Sequence, residues 1–189
     1  MGHQSSRERL RGQIEEAYGK LLYTYQTQQE EASLKRSRSN RLSIAQIVLT
    51  AISSCGVVGV LLGEAEIGAG IASLFAALSL GINLYVRGAR LPERAEAHVR
   101  CANRLWVVVQ DYISLLTDFD ELGDEDIRRQ RGALQDRQAE IYAEAPRTSA
   151  KAYEKARERL KDGHQSFEPG ECEELLPLGL RGGEDRGDE

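Results

Sequence analysis

Hydrophobic and polar positions divide this chain into regions of different kinds. Between residues 42 and 86 nearly every position is apolar or small. Leu42 to Gly63 reads LSIAQIVLTAISSCGVVGVLLG and Ile67 to Val86 reads IGAGIASLFAALSLGINLYV, both without a charge. The first stretch has 22 residues. At 1.5 Å per residue it reaches roughly 33 Å, enough to cross a hydrocarbon core of about 30 Å. Only Glu64-Ala65-Glu66 separates the two stretches, which allows a tight helical hairpin. A buried helical pair in a soluble protein is the competing explanation. It fits poorly, because two adjacent uncharged stretches of this length are rare in soluble chains. The pattern therefore predicts transmembrane helices at 42–63 and 67–86 with a turn at 64–66.

The flanking regions show helical periodicity instead. In residues 1–41, Leu10, Ile14, Ala17, Tyr18, Leu21, Tyr25 and Ala32 share one helix face, and no proline interrupts them. This predicts a cytoplasmic helix running straight into the first span. After the second span, Ala95, Ala102, Val109 and Leu116 recur every seven residues, with Val99, Trp106, Ile113 and Phe119 interleaved. That seam predicts a helix from about Leu91 to Phe119 packed on another helix, with Trp106 in the core and a kink or restart at Pro92. Ile127, Leu134 and Ile141 repeat the seven-residue spacing, and Pro146 ends that helix or opens the next. Ala152, Tyr153, Ala156 and Leu160 form a last apolar stripe. Residues 163–189, rich in glycine, proline and acids, predict a disordered acidic tail. The fold class is all-α: a membrane hairpin at 42–86, a cytoplasmic helical region at 87–162, and an oligomeric assembly. Whether the cytoplasmic helices bundle within one subunit or between subunits is open at this stage.

Charge sets the orientation. Lys35, Arg36, Arg38 and Arg41 precede the first span with no acid among them, and Arg87, Arg90 and Arg94 follow the second with only Glu93. Positive flanks stay inside, so both termini are expected in the cytoplasm, with the short turn outside. Tyr85 sits where an interfacial aromatic is expected. The whole-chain charge of −5 is an average: the tail after residue 162 carries eight acids against two arginines. The remainder is close to neutral, so no direct nucleic-acid binding is expected.

Within the spans, small residues recur every four positions: Ala51, Cys55, Gly59 and Gly63 in the first, and Ala69, Ser73, Ala77 and Gly81 in the second. Such ladders let helices approach closely in lipid. They would serve either the two helices of one hairpin or contacts between copies. Gln46, Thr50 and Ser53 share one face of the first span, and Asn83 lies one turn from Ser79 in the second. Polar groups in hydrocarbon must face protein or water. These four are candidates to line a pore, which one hairpin alone cannot enclose. Plain interhelical hydrogen bonding is the alternative.

Catalytic chemistry is not in evidence. The three cysteines, Cys55, Cys101 and Cys172, are far apart and imply no disulfide framework. His98 and Cys101 share a helix face without a second pair of ligands, so no metal site is expected. There is no phosphate-binding glycine loop outside the spans. Met1-Gly2 with Ser6 matches a permissive myristoylation pattern that a two-span protein does not need. No enzyme activity and no cofactor are expected.

The order of a tyrosine-rich helix, a two-span hairpin, a tryptophan-bearing helix and a final helical pair resembles the SLATT family, the SMODS- and SLOG-associating two-transmembrane effectors. The segment AEIYAEAPRTSAKAYEKARERL, residues 139–160, carries the likeness most clearly, with its helix-proline-helix join at Ala145-Pro146 between Tyr142 and Tyr153. The resemblance covers about residues 7–162. It implies an antiphage effector of the prokaryotic inner membrane that opens an oligomeric pore and depolarises the cell when triggered. No fused sensor or nucleotide-binding domain is expected, so the resemblance implies a separately encoded sensor or a nucleotide-producing partner. A membrane-anchored coiled-coil scaffold without a pore accounts for the heptads and ladders equally well.

Overall fold

A computed structural model describes the backbone of residues 2–61 and 65–162, with side chains described for residues 6–55 and 69–162. It contains five helices: α1 (Gly2–Leu61), α2 (Ala65–Ala89), α3 (Leu91–Thr117), α4 (Asp124–Glu144) and α5 (Ala150–Lys161). Ala65 and Glu66 are thus helical rather than part of a turn at 64–66. Both residue types favour helix intrinsically, so α2 starts as soon as the chain allows. The acidic tail placed at 163–189 lies outside the described residues, as does Gly63, and only the helical backbone is described at Gly59.

α1 is the spine. Its 60 residues extend roughly 90 Å at 1.5 Å per residue. Leu10, Ile14, Leu21 and Gln28 are buried along one stripe in which inward positions return every seven residues. One face of α1 therefore follows its neighbours over a long distance. α2 and α3 together return antiparallel along it. Thr50 meets Ser79, Arg38 meets Tyr85, Gln28 meets His98, and Arg7 meets Phe119, so one index falls as the other rises.

Between α2 and α3 the chain breaks at Arg90, which takes a left-handed conformation (φ 46°, ψ 44°). Pro92 is the cause. It lacks an N–H, and its ring would clash with the carbonyl four residues back, so the helix restarts with proline in its first turn. The break re-phases the seam. In α2 the less exposed positions are Ala72, Phe75, Ser79, Ile82, Asn83, Val86 and Ala89; after the break, inward places fall at Leu91, Ala95, His98, Ala102, Leu105, Val109 and Tyr112.

This corrects one expectation. Val99, Trp106 and Ile113 do not form the inner seam; His98, Leu105 and Tyr112, one position earlier, do. Trp106 is 40% exposed and lies against Tyr25, ring centroids 5.0 Å apart. A strict seam alternates three and four residues, and from Ala95 the next inward place is 98. A histidine there hid the phase from a search for apolar residues.

α4 and the join that follows it run parallel to α1 in constant register. Gln13 and Arg131, Thr24 and Tyr142, Gln28 and Pro146, and Glu31 and Ser149 are each 118 residues apart and hydrogen-bonded. Ile127, Leu134 and Ile141 bury their side chains with Ile14, Leu21, Leu105, Tyr112 and Phe119 in one core. The helices outside the apolar pair thus bundle within a single subunit. Arg7 fixes the α3–α4 corner: it donates to Asp124 Oδ1 at 2.6 Å, to the Phe119 carbonyl at 2.6 Å and to the Leu122 carbonyl at 3.0 Å. Asp124, Glu125 and Asp126 occupy the first turn of α4, where the helix dipole favours acids.

Candidate functional site

The apolar pair displays its hydrophobic side chains outward. Ile44, Ile47, Val48, Leu74, Leu80 and Leu84 are all more than half exposed. Exposed apolar area on this scale marks a surface made for an apolar environment. Among the described residues, the stretch starting at Ala69 is long and apolar enough to cross a membrane, and almost none of its most apolar window is buried.

Each predicted site residue has a definite place. Ser53 Oγ donates to the Ala72 carbonyl at 3.1 Å, and Thr50 Oγ1 lies 3.2 Å from Ser79 Oγ while donating to the Gln46 carbonyl at 2.8 Å. These two hydroxyls hydrogen-bond within the chain. Gln46 and Asn83 are half-buried near the same seam, and their side-chain amides make no hydrogen bond among the described residues. The small-residue ladders point elsewhere: Ala51, Cys55, Ala69, Ser73, Ala77 and Gly81 are exposed. A Cβ on Gly81 would meet nothing within 4 Å. The described part of the ladders therefore lies outside the α1–α2 contact. Ala77 and Gly81 help line an apolar groove of about 470 Å³ with Leu42, Leu74 and Tyr85.

Just below the basic rim, α1 carries the run Gln26-Thr27-Gln28-Gln29-Glu30-Glu31. All of it except Gln29 is buried. Here α3, the α4–α5 join and α5 converge on α1. Gln28 Nε2 donates to the Pro146 carbonyl at 3.1 Å, and its Oε1 faces His98 Nδ1 at 2.5 Å. The Pro146 carbonyl only accepts, so the amide nitrogen must face it. The amide oxygen then accepts from His98, which places the imidazole proton on Nδ1. Glu31 Oε2 receives the Ser149 hydroxyl at 2.6 Å and the Ser149 amide at 2.9 Å, while Oε1 receives Lys35 Nζ at 2.6 Å. Ser149 in turn caps α5 by accepting from the Ala152 amide at 3.3 Å. Glu30, only 3% exposed in its side chain, pairs with Arg159 of α5 at 2.9 Å. Tyr23 stacks on Tyr153, centroids 6.3 Å apart.

Electrostatics locks this junction. Burial pushes the Glu31 carboxyl up, but hydrogen bonds from Lys35 and Ser149 and the Lys35 charge outweigh it, bringing it from 4.5 to about 2. Burial pushes His98 below its ordinary 6.5, and the Lys35 charge acts the same way against an opposing pull from Glu31. At neutral pH the junction holds an ionised Glu31 and a neutral His98. The sequence signal for it was six consecutive polar residues on an otherwise amphipathic helix. A reading keyed to apolar stripes passed over Gln28, Glu30, Glu31, His98 and Ser149.

The segment 139–160 that carries the family likeness is the one docked on this junction. Over residues 10–171 the chain matches the family described as SMODS and SLOG-associating 2TM effector domain family 4. The protein belongs to this SLATT family. A SLATT domain is by that description a two-transmembrane effector associated with SMODS and SLOG, and the exposed apolar helix fits membrane association. Neither a curated protein nor a solved structure matches the chain. For this SLATT protein the geometry separates an apolar pair from a helical bundle, with the polar junction at the neck between them.

Proposed function

We propose that this protein is a pore-forming effector of an antiphage defence system in the prokaryotic inner membrane. Residues 42–63 and the helix beginning at Ala65 cross the bilayer as a hairpin, with both termini in the cytoplasm. Copies associate through the outward small-residue ladders. The protein acts by gating rather than by catalysis. A separately encoded sensor or nucleotide-producing partner biases the cytoplasmic bundle. Moving from silent to active requires about 5 kcal/mol of differential binding to the two states.

The observation that carries this reading is the pair of unbonded amides, Gln46 and Asn83, in otherwise apolar helices. In hydrocarbon such amides are costly unless they meet protein or water. A second copy and a water path between copies supply both. Gln46 and Asn83 each lie within about two turns of the basic rim, which supports a polar ring at the cytoplasmic mouth of the proposed pore. The test is membrane potential after induced expression with the neighbouring genes. Wild-type chain depolarises the cell, and a Gln46→Leu, Asn83→Leu variant that still assembles does not. Equal depolarisation by the variant removes the assignment.

A specific observation favours the rival reading, a non-conducting scaffold. Ser53 and Thr50 close on α2 within one chain, so half of the polar face is satisfied without any pore. Normal potential under every trigger would select the scaffold.

A further inference from the structure

A groove of about 430 Å³ runs along α1 where it meets the upper end of α3, lined by Ser33, Arg36, Ser37, Asn40, Arg41 and Ile44. Val99 of α3 forms part of its wall. Its two ends differ in chemistry. The lower part offers two guanidinium groups, two hydroxyls and an amide. At the upper end, Ile44 is 62% exposed and begins the outward apolar face continued by Val48. The change falls at Arg41-Leu42, where the uncharged stretch begins.

Arg41 makes no ion pair or hydrogen bond among the described residues. Arg36 donates to Glu96 at 2.7 Å, but both side chains are more than half exposed. Such a pair is worth little, so Arg36 is free to turn to a better acceptor. Arginine suits one acceptor above others, since its planar fork matches two oxygens of a phosphate. Neighbouring hydroxyls and an amide supply further donors. An adjoining apolar track is of use only to a ligand that also has a hydrocarbon part.

We propose that this groove holds one anionic phospholipid, its phosphodiester against Arg36, Arg41 and Asn40 and its acyl chain along Ile44 and Val48. The site rests on the membrane reading above, and its phosphate chemistry is shared with free inorganic phosphate. Occupied, it ties α1 to the bilayer surface about one and a half to three turns above the Glu31 junction, so lipid charge bears on the neck of the molecule.

The full chain, purified in a neutral detergent and offered equal phosphatidylglycerol and phosphatidylcholine, would be examined by native mass spectrometry. Phosphatidylglycerol should be retained about tenfold over phosphatidylcholine, which has the same phosphodiester but whose choline cation is repelled by the two arginines; tenfold is the scale of one charged contact. Arg41→Gln should bring the two lipids to parity. Ser37→Leu, which fills the groove and changes no charge, should also lower retention. Arg129→Gln, on the exposed face of α4, should leave it unchanged. Equal retention by wild type, or unaltered preference in both Arg41→Gln and Ser37→Leu, overturns the site. Displacement of the lipid by excess inorganic phosphate, with phosphate retained, makes a free phosphate the ligand and overturns the lipid assignment. A chain that never enters vesicles refutes the membrane reading, whereas one that enters and shows no lipid preference refutes this site alone. Neither readout depends on conductance.

Discussion

The part of α1 before Arg41 and the part after it belong to one continuous helix, yet they are built inside out relative to each other. Before Arg41, Leu10, Ile14 and Leu21 are buried and, apart from Glu30 and Glu31 at the junction, most charged side chains face outward. After it, Ile44, Ile47, Val48 and Ile52 are exposed while Ser53 bonds toward α2. Water drives the first arrangement, because burying apolar area is the main gain on folding. In the membrane setting proposed above, lipid removes that drive, and helices there associate through close packing and hydrogen bonds. The same helical periodicity thus serves two opposite rules, and the boundary is the basic rim at Lys35–Arg41.

The sharpest way to break this comparison is to truncate one leucine on each side of the boundary. Leu105 is fully buried in the bundle, and Leu80 is 61% exposed on α2. Leu105→Ala should cost about 2–5 kcal/mol through lost burial and a cavity. Leu80→Ala should cost under about 0.5 kcal/mol, as for a substitution away from any packed feature. Denaturation in micelles followed by Trp106 fluorescence measures both, since Trp106 sits in the bundle against Tyr25. If Leu80→Ala costs as much as Leu105→Ala, the outer face of α2 packs on protein rather than lipid.

The neck between the two regions gives the next largest effect, and its sign follows from Glu31. The folded carboxyl titrates at about 2 against an ordinary 4.5. A depressed carboxylate stabilises the fold above the unfolded value and loses that contribution as pH falls from about 4.5 toward about 2. The contribution at neutral pH is on the order of 3 kcal/mol. Glu31→Gln should remove it and flatten the acid limb of the stability curve over that window. His98, also depressed, adds a loss that begins as pH falls through 6.5. Hydrogen exchange of α5 amides is the direct readout: exchange in 150–161 should rise in Glu31→Gln more than exchange in α4. Unchanged α5 protection would mean that Ser149 and Arg159 hold α5 without the carboxylate.

Much of the architecture is legible in the sequence, and the rest is hidden for physical reasons. The burial of Ile127, Leu134 and Ile141 follows directly from their seven-residue spacing, because apolar residues there have one place to go. The restart of the helix near Pro92 follows from proline's missing donor. The α3 seam was harder, since His98 occupies an inward place and a polar residue does not announce burial. The junction was hidden for a related reason. Gln28, Glu30 and Glu31 look like solvated surface until the α4–α5 join lies across them, and that contact spans 118 residues. Nothing local encodes it. The destination of the small-residue ladders was left open by the spacing alone, which suits either interface, and exposure of Ala51, Ala77 and Gly81 decides against the contact inside one chain.

The smallest effect separates two ion pairs that look alike on paper. Arg104 reaches Glu144 at 2.6 Å, with side chains 49% and 73% exposed. Arg159 reaches Glu30 at the longer 2.9 Å, but Glu30 is nearly sealed from water. Distance alone would rank the first pair higher. Solvent reverses the order, because an exposed pair is screened and holds two flexible side chains, whereas removing a partner from a buried carboxylate leaves its charge uncompensated. Arg159→Ala should therefore destabilise by about 1–3 kcal/mol, of the order of leaving a buried hydrogen-bonding group without its partner. Arg104→Ala should change stability by only about 0–1 kcal/mol, an amount that shrinks further at high salt. Denaturation of both variants at low and high ionic strength decides the matter. A salt-insensitive loss in Arg159→Ala beside a negligible one in Arg104→Ala locates the force holding α5 in the buried junction, and equal losses would place it in the general charge of the bundle surface.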